Sequence, residues 1–122
     1  MLLDSLKVDK STNTISWYLD KKPIKIVCEN LDSAKLFSKF KIVIALVGSG
    51  NYPSNLIGFS VEGNTKFEIK APEGFVFSYL TEHPTAGIAV VCGGNEKTDG
   101  WYDWYYAVDP KTGKLTKHCP AY

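Results

Sequence analysis

The sequence predicts an all-β protein built of antiparallel meander sheets, and three observations carry that expectation. Short runs of alternating or β-branched residues recur at close intervals, punctuated by Gly, Pro, Asn and Asp. Aromatic residues make up 13% of the chain, with seven Tyr, six Phe and three Trp, a bias that suits pleated, half-buried surfaces. Only the stretch from Leu31 to Ser38 carries a helical pattern, and it is long enough for roughly two turns at most.

The elements follow in order. Ile15 to Leu19 and Ile24 to Cys28 alternate on either side of a turn at Asp20-Lys21-Lys22-Pro23, the pattern of a hairpin. Residues 31–38 then form the one candidate helix, with Asp32 or Ser33 as cap and Leu36, Phe37 and Phe40 facing inward. Ile42 to Val47 is a continuous apolar run, which implies a strand buried on both faces. A loop over Gly48 to Asn55 leads to Leu56–Val61, the turn Glu62-Gly63-Asn64 and the strictly alternating Lys66–Lys70. Phe75–Leu80 and Ile88–Cys92 are two further strands, divided at Glu82 to Thr85. Gly93 to Gly100 reads as a Gly-rich loop, and Trp104–Val108 and Lys114–Lys117 close the chain around Asp109 to Gly113.

Composition narrows the function. The 122 residues suit one domain over 1–122, and 44% hydrophobic against 22% charged residues describes a globular chain. All fourteen basic residues are Lys, and the formal net charge is +1. With no Arg, the planar bidentate recognition of phosphate or guanine has no residue to use, and no direct nucleic-acid partner is expected. The charge divides mildly: residues 1–61 hold eight Lys and five acids (+3), and residues 62–122 hold six Lys and eight acids (−2). The N-terminus has no basic segment followed by an apolar stretch, and the longest apolar run is far short of the ~20 residues that span a bilayer. A cytoplasmic chain with no membrane partner is the expectation. Three cysteines and no CxxC pair argue against a disulfide framework.

Two stretches, about 42–70 and 88–117, repeat one order of elements: apolar run, polar or Gly-rich loop, strand, acidic–Gly turn, strand. The offset is 46 residues from Ile42 to Ile88 and 47 from Val61 to Val108. A period of 40–50 residues made of short antiparallel strands is the signature of propeller blades. The words Asn55 to Asn64 and Tyr105 to Lys114 resemble the YALDxxTGK blade of quinoprotein-type propellers. Because a closed ring needs at least ~4 blades, the chain is expected to be incomplete and two- to three-blade propeller-like, its sheets packed face to face or paired at their edges with something else. The quinone cofactor of a complete ring is therefore not expected, nor is any other cofactor.

No P-loop, GxSxG, HExxH or EF-hand pattern occurs, and no set of residues offers a nucleophile, a base and an oxyanion donor, so an enzyme is not expected. His118 and Cys119 are neighbours, but adjacent residues on a strand point to opposite faces. They are expected not to share a site, and no metal centre is expected. The richest segment is Asn95 to Trp104, read as a loop in which acids stand beside large aromatics. Interface cores favour Trp and Tyr, and acids at their rim speed the encounter with a basic partner. Glu96, Asp99, Trp101, Tyr102 and Asp103 are the candidate partner-binding residues; the plainer expectation is that Trp101 and Trp104 fold back onto the core.

By its size, strand order and blade words the chain resembles the immunity proteins of contact-dependent growth inhibition and related bacterial polymorphic toxin systems. The resemblance implies a protein that binds the C-terminal domain of its cognate toxin, often a nuclease, and occludes its active or substrate-binding site. Two alternatives stand beside it. One is a β module that takes a small ligand or another protein, with a pocket lined by Trp17, Trp101 or Trp104. The other is a structural subunit that pairs through its strand edges.

Overall fold

The computed structural model describes residues 2–121, and its elements are β throughout apart from one 3-10 turn at Ser38–Phe40. The first sheet contains β1 (Leu3–Asp9), β2 (Thr14–Leu19) and β3 (Lys22–Val27). The middle sheet contains β4 (Leu31–Phe37), β5 (Ile42–Val47), β6 (Asn55–Ser60) and β7 (Thr65–Lys70). The last contains β8 (Phe75–His83), β9 (Gly87–Thr98), β10 (Trp101–Val108) and β11 (Leu115–Pro120). Each is an antiparallel meander in which sequence neighbours pair. No helix among the described residues is long and apolar enough to cross a membrane.

The three sheets stack, and β5 is the pivot. All six of its residues are buried. Ile42, Ile44 and Leu46 pack with Phe77, Ile88, Val90, Cys92 and Tyr106 of the last sheet. Val43, Ala45 and Val47 turn the other way, onto Ile15 and Trp17 of the first sheet. A continuous apolar run is what a strand covered on both faces requires, and each such side chain contributes roughly 1.5–3 kcal/mol by leaving water.

Burial of β5 also explains why residues 31–38 are not the expected helix. A strand without access to water must have both edges paired, because its N–H and C=O groups have no other partner. β6 covers one edge, and Leu31 to Phe37 covers the other as β4, in register from Leu31↔Val47 to Phe37↔Ile42. The register shifts between Leu31 and Ser33. Past the shift, Ala34 and Leu36 pack towards the first sheet and Phe37 towards the last. Phe40, read as inward-facing, is 38% exposed. Helical character survives only in the single 3-10 turn after β4, closed by Lys41 in the left-handed conformation.

The expected hairpin of β2 and β3 is present, with Asp20 and Lys21 both at positive φ, the two-residue turn that matches strand twist. The segment before β6 is held close: Ser54 N–H donates to the Val47 carbonyl at 3.0 Å, and Phe77 N–H of β8 donates to the Pro53 carbonyl at 3.1 Å. The second bond ties β8 of the last sheet to the segment that precedes β6 of the middle one.

Candidate functional site

The stack leaves two outer faces, and they differ. On the first sheet the outward rows are Asp4–Tyr18–Pro23, Lys7–Ser16–Lys25 and Asp9–Thr14–Val27, a mostly polar surface. On the last sheet one outward row is Tyr79–Val91–Tyr105–Cys119, and the next is Thr81–Ala89–Ala107–Thr116. Although they face away from the core, Val91 is only 2% exposed and Ala89 fully buried. Aromatic side chains stand over this face: Tyr79 is 49% exposed, and the Tyr105 ring packs edge-on against His83 at 4.9 Å between centroids. Burial pushes the Tyr79 phenol above its ordinary value. The charge of Tyr105, a side-chain hydrogen bond with it and the Asp103 carboxylate add to the shift.

The segment from Asn95 to Trp104 is not a loop. β9 runs on to Thr98 and β10 begins at Trp101, so Asp99 and Gly100, at φ 51° and 87°, form the two-residue turn of a long hairpin. Asp-Gly favours that turn because both positions need positive φ. Below the turn the register jumps from Trp101↔Thr98 to Asp103↔Gly93, so Gly94 to Lys97 oppose Tyr102 alone and the tip bulges. Gly93 and Gly94 are strand residues here, not a turn. A Cβ on Gly93 would lie 3.2 Å from Asp103 Oδ1, and one on Gly94 would lie 3.1 Å from the Tyr102 carbonyl oxygen. Both glycines therefore let β10 approach closely.

The structure places the five candidate residues on this hairpin. Asp99 is in the turn, and Trp101 and Tyr102 lie beside it at 41% and 51% exposed. Lys97 Nζ stands 5.6 Å from the Tyr102 ring centroid. Asp103 shares the outward row of Gly93 and so borders the Tyr79–Tyr105 face. Glu96 lies apart from it, lining a depression of about 320 Å³ with Glu73, Phe75 and Asn95. Trp104 alone folds inward: it is 7% exposed, its Nε1 donates to the Trp101 carbonyl at 3.2 Å, and Lys117 Nζ lies 3.9 Å from its ring centroid.

At the other end of the same face the structure corrects the expectation for His118 and Cys119. Pairing of β10 with β11 shifts register between Tyr105↔Cys119 and Tyr106↔Lys117, so His118 is an extra, bulged residue. The bulge cancels the alternation that would have parted the two side chains. His83, His118 and Cys119 each bring a ligand atom within 4.8 Å of the others. His83 Nε2 lies 3.8 Å from Cys119 Sγ, and the two imidazoles pack edge-on at 5.0 Å between centroids. Thr85, in the turn between β8 and β9, places its hydroxyl 3.1 Å from His83 Nδ1 and 2.8 Å from His118 Nε2. Sequence reasoning thus missed Tyr79, His83 and Tyr105 as residues of this face and parted His118 from Cys119. The signal for the first and third was present, as aromatics at outward positions of alternating strands; that for the histidines depends on a bulge and was not.

Comparison of the chain with protein-family models, with curated proteins and with solved structures finds no match to any of them.

Proposed function

We propose that the chain is a non-catalytic, cytoplasmic immunity protein that holds a cognate toxin domain on the outer face of its last sheet and the adjoining hairpin. The observation that carries this reading is the difference between the two outer faces. One is mostly polar, as a free surface is. The other keeps Val91 and Ala89 buried, with Tyr79 and Tyr105 flanking Val91 in one row and Trp101, Tyr102 and two acids on the adjoining hairpin. Rigid aromatics beside a buried floor with charges at the rim are the anatomy of a protein interface. Local acidity at Asp99 and Asp103 answers the near-neutral whole: what steers a basic partner is the field at the docking surface.

The small-ligand alternative has less support, because Trp17 and Trp104 are 1% and 7% exposed and belong to the core. A structural subunit would instead pair through its strand edges, and the experiment separates the two. The tagged chain is expressed with the toxin C-terminal domain encoded immediately upstream, and complexes are sized by light scattering. A one-to-one complex that restores growth is expected. Self-association without a complex, and without rescue, overturns the reading.

A further inference from the structure

His83 stands at the end of β8, Thr85 in the turn that follows it, and His118 and Cys119 on the bulge of β11. Two imidazoles and a thiolate are the donor set of a borderline transition ion, and zinc takes such sets readily. With Zn–N and Zn–S bonds of about 2.0 and 2.3 Å, a tetrahedral ion sets nitrogen and sulfur about 3.6 Å apart. His83 Nε2 and Cys119 Sγ are already 3.8 Å apart, and all three ligand atoms lie within 4.8 Å of one another. We propose that His83, His118 and Cys119 bind a zinc ion, with the fourth position open to water.

Thr85 supports this assignment. Its hydroxyl meets one nitrogen of each ring, Nδ1 of His83 and Nε2 of His118, and His83 Nε2 faces Cys119 Sγ. A hydroxyl oxygen has two lone pairs and can accept from both rings at once. At His118 that is the outer-shell contact by which a ligating histidine is normally oriented; at His83 the contact takes that form only once the ring proton has moved to Nδ1. In the structure the backbone N–H groups of Thr85 and Ala86 donate to His83 Nδ1 at 3.2 and 3.3 Å, which makes Nδ1 the acceptor and puts the ring proton on Nε2, facing Cys119. Zinc binding therefore switches the His83 tautomer. The proton moves to Nδ1, the Thr85 hydroxyl turns to accept it, and the amides of this surface turn pass to water. Cys119 binds as thiolate and its proton leaves to solvent.

The test is a titration of metal-stripped, reduced protein with Co²⁺, zinc's spectroscopic stand-in. One equivalent is expected to give a thiolate-to-cobalt band in the near ultraviolet and tetrahedral bands in the visible, both erased by zinc. Cys119→Ser removes the near-ultraviolet band, and His118→Ala, at an exposed position that leaves the far-ultraviolet circular dichroism unchanged, lowers zinc affinity at least tenfold. Thr85→Val keeps the band and weakens zinc by roughly 10- to 100-fold, the cost of a lost outer-shell partner. Nitrogen NMR reads the His83 proton move from Nε2 to Nδ1 on loading. Absence of the band at one equivalent, or its survival in Cys119→Ser, overturns the site.

Discussion

The Trp17 indole Nε1 donates to the Val61 carbonyl at 2.8 Å, a buried bond between residues 44 positions apart in sequence. It joins β2 of the first sheet to the segment just past β6 of the middle one. Trp17→Phe keeps an aromatic ring but leaves that carbonyl without its partner and opens space behind it. The loss is expected to be ~1–3 kcal/mol, read from the urea midpoint. A variant as stable as the parent would show that water reaches Val61 and that the bond does not hold the first sheet in place.

A second tie between sheets is the Phe67 ring, which lies between two glycines. A Cβ on Gly58 of β6 would meet Phe67 Cε1 at 2.6 Å, and one on Gly113, in the turn before β11, would meet Cγ at 2.8 Å. With glycine on both sides, the ring has no room to retreat. Gly113 also sits at φ +78°, as Gly74 does at +82°, but nothing lies within 4 Å of a Cβ on Gly74. Gly74→Ala should cost only the ~1–2 kcal/mol of the left-handed conformation, and Gly113→Ala clearly more. Thermal unfolding of the pair separates the two terms, and equal losses would mean that Phe67 moves freely.

The legible part of the fold was the part governed by local pattern. Alternation marked β2, β3 and β7, and the unbroken run from Ile42 to Val47 announced its two covered faces. What stayed hidden depended on partners distant in sequence. Leu31 to Phe37 is a strand because β5 needs its edge paired, a demand that no local preference of those residues expresses. The candidate site divides the same way: Trp101 and Tyr102 were visible as aromatics among acids. The meeting of His118 with Cys119 rests on one extra residue in β11, and a strand read as strictly alternating sends them apart.

Alkaline pH is expected to destabilise the protein through Cys92. Burial pushes its thiol up to about 12 from the ordinary 9.0, and it pushes Tyr106 upward too, helped by the neighbouring Cys92. Above pH 9 the unfolded chain releases the Cys92 proton while the folded chain keeps it, so the stabilisation is whole below pH 9 and is lost as pH rises towards 12. The slope approaches ~1.4 kcal/mol per pH unit for this one group. Urea midpoints from pH 8 to 11 should fall steeply in the parent and less steeply in Cys92→Ala. Parallel slopes would remove Cys92 as the cause.

Charge and aromatic surface on the β9–β10 hairpin should affect different rate constants, if the proposed partner docks there. Asp99 is at φ 51° in a two-residue turn, so Asp99→Asn removes its charge while keeping a residue that tolerates that conformation. Asp103 is on the outward row, where Asp103→Lys reverses the charge without entering the core. Rim charges act mainly on encounter, so both changes should slow association with the toxin domain, most at low salt, and leave dissociation nearly unchanged. Trp101→Ala and Tyr79→Ala remove contact surface and should instead speed dissociation, by tenfold or more where the side chain is an anchor worth ~2 kcal/mol. Stopped-flow or surface-plasmon traces at two salt concentrations decide the matter. If neither pair alters its rate constant, the proposed partner does not dock on this hairpin and the face beside it.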